Sequence, residues 1–166
     1  GLQRRAATGW MAVFWAILLA TSPVVASDRP DTADPVFAIS HAGDEQGFLA
    51  VDTETDALDA MQANLVGVSL ATQTGKACYI PLAHKAAGGG LFGGDVLEGQ
   101  IKLADALNLL KPPLEDPAIL KIGQNLKYDI EVLARYGIAV APIDDTMLIS
   151  YALESGDVGH GMDELA

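Results

Sequence analysis

Hydrophobic and polar positions along this chain change period several times, and each change marks an element. The stretch from Gly47 to Glu54, GFLAVDTE, is a short apolar run that closes in acids, the pattern of a mostly buried strand. Two more β-like runs follow, Asn64 to Thr72 (NLVGVSLAT) and Lys76 to Leu82 (KACYIPL). Gln73, Thr74 and Gly75 form a tight turn between them, so the second and third strands are expected to pair antiparallel. The next segment, AHKAAGGGLFGGD, is Gly-rich and reads as a surface loop. It lacks a Gly-Lys-Ser/Thr ending, so it is not a phosphate-binding P-loop.

The period then becomes helical. In GQIKLADALNLLK the apolar positions Ile101, Leu103, Ala104, Leu107 and Leu110 fall on one face, and Pro112-Pro113 are expected to stop the helix. AILKIG reads as a short strand. NLKYDIEVLARYGI reads as a helix with Leu126, Ile130, Leu133 and Ala134 on its inner face and Gly137 at its end. IAVAPI reads as a last short strand, and DDTMLISYALESG as a helix capped by Asp144 or Asp145. GMDELA begins one more helix. Three strands followed by alternating helices and strands predict an α/β domain with a mixed sheet flanked by helices. There is no internal repeat.

The N-terminal segment stands apart. Arg4 and Arg5 precede GWMAVFWAILLATSPVVAS, a basic start and apolar run resembling a secretory signal. Thr21, Ser22 and Pro23 interrupt the run, which makes it a poor membrane span, and no stable membrane partner is expected. SDRPDTADP, ending at Pro35, is polar and reads as a linker. We therefore divide the chain into a signal-like segment and linker at 1–35 and a partial domain at 36–166. Gly1 in place of Met leads us to expect a fragment or a processed product.

Composition narrows the chemistry. The 166 residues carry a formal net charge of −12, so the surface as a whole does not attract nucleic acid. Any such binding has to come from metal ions, local donors or another domain. Cys78 is the only cysteine, which excludes an intrachain disulfide and a Cys-based zinc site. His41, His84 and His160 have no metal-ligand spacing.

The acids pose the sharper question. Asp52, Glu54 and Asp56 alternate, so a continuous strand would crowd all three on one face. Asp129 borders the apolar stripe of a helix, where an unpaired carboxylate is costly. Alone, Asp-x-Glu is a common solvated or capping pattern, and Asp129 has Lys127 and Arg135 as candidate salt-bridge partners. A single cation resolves both puzzles. Asp52, Glu54 and Asp129 brought together form an all-oxygen site of the kind Mg²⁺ or Mn²⁺ prefers, and such a site suits two-metal phosphoryl hydrolysis.

From Phe48 to Ala166, the segments FLAVDTETDALDAMQANLVGVSLAT, CYIPLAH, LLKPPLEDPAILKIGQNLKYDIEVLARYGI and DDTMLISYALESG with HGMDELA resemble the 3′→5′ proofreading exonuclease domain of bacterial family A DNA polymerases. The pairing of Asp-Thr-Glu-Thr-Asp with Asn-Leu-Lys-Tyr-Asp is highly specific. The resemblance implies a ribonuclease H-like fold and the DEDD exonuclease superfamily. It implies catalytic and metal-binding roles for Asp52, Glu54 and Asp129, with Mg²⁺ or Mn²⁺ as a two-metal cofactor. Thr55, Leu58, Gln124, Asn125 and Tyr128 match positions that contact the substrate, with Leu58 packing on the terminal base; simple packing is the alternative for Tyr128. The implied partners are a single-stranded DNA 3′ end and a polymerase domain of the same full-length chain, in the cytoplasm, which conflicts with the signal-like segment. The family's third motif, Tyr-x-x-x-Asp, is expected beyond Ala166. The domain is thus expected to be C-terminally incomplete, with impaired activity. Residues before Gly47 do not resemble the family's approach to this strand, which leaves a foreign origin open. Other readings are an RNase D-like exoribonuclease, a non-catalytic exonuclease-like module that braces a polymerase, and an exported domain supported only by the leader.

Overall fold

The computed structural model describes residues 45–73, 76–85, 96–154 and 159–165. The signal-like segment, the linker, Thr74-Gly75 and most of the Gly-rich run lie outside the described residues. Five strands make one sheet: β1 Phe48–Thr55, β2 Leu65–Gln73, β3 Lys76–Pro81, β4 Leu120–Gly123 and β5 Ile143–Asp145. Four helices are described: α1 Leu103–Glu115, α2 Lys127–Arg135, α3 Thr146–Leu153 and α4 Met162–Leu165. The strand order is β3-β2-β1-β4-β5. β2 runs antiparallel to both β1 and β3, whereas β4 and β5 run parallel to β1. This is the mixed α/β sheet that the pattern predicts.

β1 is central, and its apolar run reflects that. Leu49 and Val51 enter the larger core with Leu65, Val68, Leu70 and Ile80, against Leu110 and Leu114 of α1, Leu126 at the N-cap of α2 and Leu133 of α2. Each fully buried leucine contributes about 1.5–3 kcal/mol relative to leaving it in water. Ala50, Ala71 and Ile122 form a smaller cluster with Phe48, Leu120 and Met162 of α4. Lys121, in β4, is buried, and its Nζ donates to the carbonyls of Asp116 (2.7 Å) and Ile119 (2.6 Å), tying down the turn before that strand.

Several boundaries differ from the sequence expectation. Helix α1 continues through Pro112 and Pro113 to Glu115, and Asp116 N donates to Pro112 O at 3.1 Å. Proline removes its own amide but leaves its carbonyl free to accept, and here Pro113 and Leu114 are buried against the core. The buried stripe is Ala106, Leu110, Pro113 and Leu114, while Ala104 is exposed. On α2 the inner face is Leu126, Asp129, Val132 and Leu133, and Ala134 is exposed.

Ile138 and Val140 alternate inward like a strand, but their segment does not pair as one. Ala139 N donates to Glu115 Oε1 at 2.9 Å and Ala141 N to Leu114 O at 3.3 Å, so the end of α1 takes these amides. The last strand starts only at Ile143. Gly137 does end α2. Its φ of 77°, with Gly137 N→Ala134 O at 3.0 Å and Ile138 N→Leu133 O at 3.2 Å, forms a Schellman cap, where a left-handed residue suits glycine.

Candidate active site

Strand alternation decides which acids meet. Asp52 and Glu54 share a face of β1, and Thr53 projects to the other. The parallel pairing with β4 ends at Ala50, so the tip of β1 runs on past its neighbour. Asp129, in the first turn of α2, closes against that tip. Its Oδ1 accepts from the Thr53 backbone N–H at 2.8 Å and from Thr53 Oγ1 at 2.6 Å. Asp129 is only 4% exposed. The strand tip and the inner side of α2 therefore converge, with Thr53 as the joint.

Asp56 does not join the row. The β1–β2 register shifts between Glu54 and Thr55, and the strand ends there. The Asp56 carboxylate instead accepts from Asn64 N at 2.7 Å and Asn64 Nδ2 at 2.9 Å, which lowers its pKa. The expected crowding of three acids on one face is thus relieved by a loop closure.

The remaining acids feel one another. Burial, then the charges of Asp129 and Glu54, push the Asp52 carboxyl up to about 7. Burial also raises Asp129; the two bonds from Thr53 oppose this, and the charge of Asp145 adds to it. Among the described residues no Lys or Arg pairs with Asp52, Glu54 or Asp129; the ion pair described is Lys111–Glu115 on α1 at 3.6 Å. Arg135 turns away to the carbonyls of Ala60 (3.1 Å) and Ala63. An all-oxygen donor set with unbalanced negative charge fits a hard divalent cation. Among the described residues no three His, Cys, Asp or Glu side chains are already grouped around one metal position.

Beside the acids lies a cleft of about 590 Å³, lined by residues 53–58 with Asn125 and Tyr128. Leu58 stands at its edge, 98% exposed. Asn125 has a left-handed backbone, φ 56°, and an exposed side chain. The Tyr128 hydroxyl is engaged within the wall, donating to Ala57 O at 2.6 Å and sharing a hydrogen bond with Thr55 Oγ1. Its ring therefore lines the cleft while its oxygen shapes the loop. Gln124 lies outside the cleft. Its amide donates to His160 O at 2.8 Å and its Oε1 accepts from Thr146 Oγ1.

Two supports escaped sequence reasoning. Thr53 sits between the two acids of Asp-x-Glu, and nothing local marks it as the clamp of a residue 76 positions away. Asp145 was legible as a cap of α3, accepting from Met147 N (2.9 Å) and Leu148 N (3.2 Å). It also accepts from Asn125 N at 3.1 Å and Leu126 N at 2.8 Å, and so fixes the start of the helix that carries Asp129.

A mixed five-stranded sheet with acids at the tip of its central strand is the layout of a ribonuclease H-like nuclease. A family model described as 3′-5′ exonuclease matches residues 31–166, and the chain belongs to that family. It is 53% identical over 129 residues to a DNA polymerase I of Rhizobium leguminosarum, covering 72% of this chain and 13% of that protein. It is 45% identical over 126 residues to a DNA polymerase I of Pseudomonas aeruginosa, covering 74% of this chain and 13% of that protein. The chain thus spans a small part of the length of these relatives. Among solved structures, Brucella melitensis NrnC with bound Mg²⁺ aligns with a TM-score of 0.53 at 24% identity, covering 74% of this chain and 53% of that one, a likeness of fold. No described helix is long and apolar enough to cross a membrane.

Proposed function

We propose that this chain is the 3′→5′ exonuclease domain of a DNA polymerase I, removing nucleotides from single-stranded DNA 3′ ends in the cytoplasm. The observation that carries the reading is the Thr53 clamp, which brings buried Asp129 to the strand tip bearing Asp52 and Glu54. The 3′-5′ exonuclease family depends on metal ions, and Mg²⁺ or Mn²⁺ suits these oxygen donors. Asp52, Glu54 and Asp129 would hold the ions; when bound, these supply an activated water and neutralise the departing oxygen.

The chain's own residues do the rest. Burial and neighbouring negative charge raise the Asp52 pKa to about 7, so near neutrality it can hold a proton that a bound cation would displace. Leu58 and the Tyr128 ring offer apolar surface beside Glu54, on which an unpaired base can stack. Asn125 and Thr55 supply polar contacts at the same cleft. Gln124 holds the loop that presents Asn125. A polymerase domain of the same full-length protein would deliver the primer end.

Titration with Mn²⁺ by calorimetry, in wild type and Asp52→Ala, tests the site. Binding that is lost in Asp52→Ala is expected, and a wild-type chain that binds no Mn²⁺ overturns the reading. Release of nucleoside monophosphates from a 5′-labelled single-stranded DNA, with a duplex blunt end as the poor substrate, tests polarity and substrate together.

A further inference from the structure

We propose that Tyr79, backed by His84, is a positioning residue for Glu54, which it faces through the gap left by Gly67. The inference rests on Glu54 being one of the acids that hold metal.

In the β1–β2 ladder Gly67 lies directly opposite Glu54, so both project to the same face of the sheet. A Cβ placed on Gly67 would stand 1.9 Å from Tyr79 Oη and 2.4 Å from its Cζ. The phenol oxygen thus occupies the space where a side chain at 67 would begin. Directly opposed Cβ positions in such a ladder are about 4.5–5.5 Å apart. Tyr79 Oη therefore stands about that far from the root of the Glu54 side chain, a gap that its two methylenes span. Glu54 is exposed and free to turn.

Tyr79 reaches this place from the neighbouring strand. Its own partner across β2–β3 is Ser69, so the ring crosses β2 diagonally to cover Gly67. At the far side its hydroxyl is held by His84 Nε2 at 2.5 Å, and the two rings meet edge-on with centroids 5.6 Å apart. His84 is itself fixed by its backbone: its N–H donates to Gln100 Oε1 at 2.8 Å and its carbonyl accepts from Gln100 Nε2 at 2.9 Å. With Nε2 carrying the ring proton, His84 donates to Tyr79 and leaves the phenol proton for a Glu54 oxygen. That bond fixes one oxygen of the carboxylate and leaves the other for a cation, the way outer partners orient metal ligands. The His84 bond alone would not require the phenol oxygen to sit over a glycine directly opposite Glu54.

The test compares wild type with Tyr79→Phe, Glu54→Gln and the double variant. Phenylalanine keeps the ring and removes only the oxygen. Calorimetry should show Mn²⁺ affinity about tenfold weaker in Tyr79→Phe, and no further loss when it is added to Glu54→Gln. Wild-type affinity in Tyr79→Phe, or independent losses in the double variant, overturns the inference while the metal site itself stands. Urea unfolding of the four proteins in EDTA reads the same coupling without metal. Non-additive midpoints support the Tyr79–Glu54 contact even if no variant binds Mn²⁺, the result that would remove the proposed function; additive midpoints overturn the contact.

Discussion

Replacing Asp52 by Asn should stabilise the metal-free chain and abolish its response to metal. The folded Asp52 carboxyl titrates at about 7 against an ordinary value of 3.8. Between those two pH values the folded chain holds a proton that the unfolded chain has released. The folded state is therefore favoured at low pH, and stability falls as pH rises from about 4 through 7. Taken whole, a rise of that size corresponds to roughly 4 kcal/mol. Asp52 keeps part of its surface in water, so screening reduces the expected cost to about 1–2 kcal/mol above pH 7. Asn has the same shape and no charge to desolvate. In EDTA at pH 8, urea unfolding should thus give Asp52→Asn a midpoint higher by roughly 0.5–1 M. At pH 4 the two proteins should coincide. A smaller slope of the same sign should survive in the variant, because Asp129 is also raised by burial. Added Mn²⁺ should then raise the midpoint of wild type and leave Asp52→Asn unmoved. An Asn variant less stable than wild type at pH 8 in EDTA would refute this picture, since it would mean that the charge is already compensated in the fold.

Three further outcomes follow from single contacts. Thr53→Val removes the Oγ1 bond to Asp129 but keeps the backbone one, so urea unfolding should show a loss of about 1–2 kcal/mol. Asp145→Ala strips the cap of α3 and the tether of Asn125 and Leu126, and should lower stability by about 2 kcal/mol in thermal unfolding, with Asp145→Asn retaining most of it. Gly137→Ala meets no neighbouring atom within 4 Å, but its φ of 77° is strained for alanine, so a chemical melt should show a cost of about 1 kcal/mol.

How far the sequence could be read depended on the range of the contacts involved. The first three strands are set by local alternation and by the two-residue gap between Gln73 and Lys76, so their pairing was legible. Gly137 announced the end of α2 because its conformation is local. Asp129 was legible as an anomaly, an acid beside Leu126 and Leu133, and the structure buries it. The continuation of α1 past Pro112-Pro113 was not, because burial of Pro113 and Leu114 outweighs the lost amides. The segment around Ile138 and Val140 alternates like a strand, but its amides go to Glu115 and Leu114 on α1. Asp56 looked like a third member of the acid row until Asn64, eight residues on, took its carboxylate. Thr53 and Tyr128 find their polar partners more than seventy residues away along the chain, where no periodicity reports them.

The Thr53 clamp also limits what Asp129 can do. Both bonds from Thr53 fall on Oδ1, so Oδ2 alone is left outside the clamp. Asp129 thus has one oxygen to offer a cation, and a geometry fixed by a strand rather than by its own helix. Asp52 and Glu54 carry no such tether, and burial with the nearby charges of Asp129 and Glu54 raises the Asp52 pKa to about 7. A cation at this site would meet two acids without such a tether, Asp52 and Glu54, and one clamped donor, Asp129. Metal binding should release a proton from Asp52 near pH 7, and the Asp52→Asn variant, in which only the raised Asp129 remains, should release less.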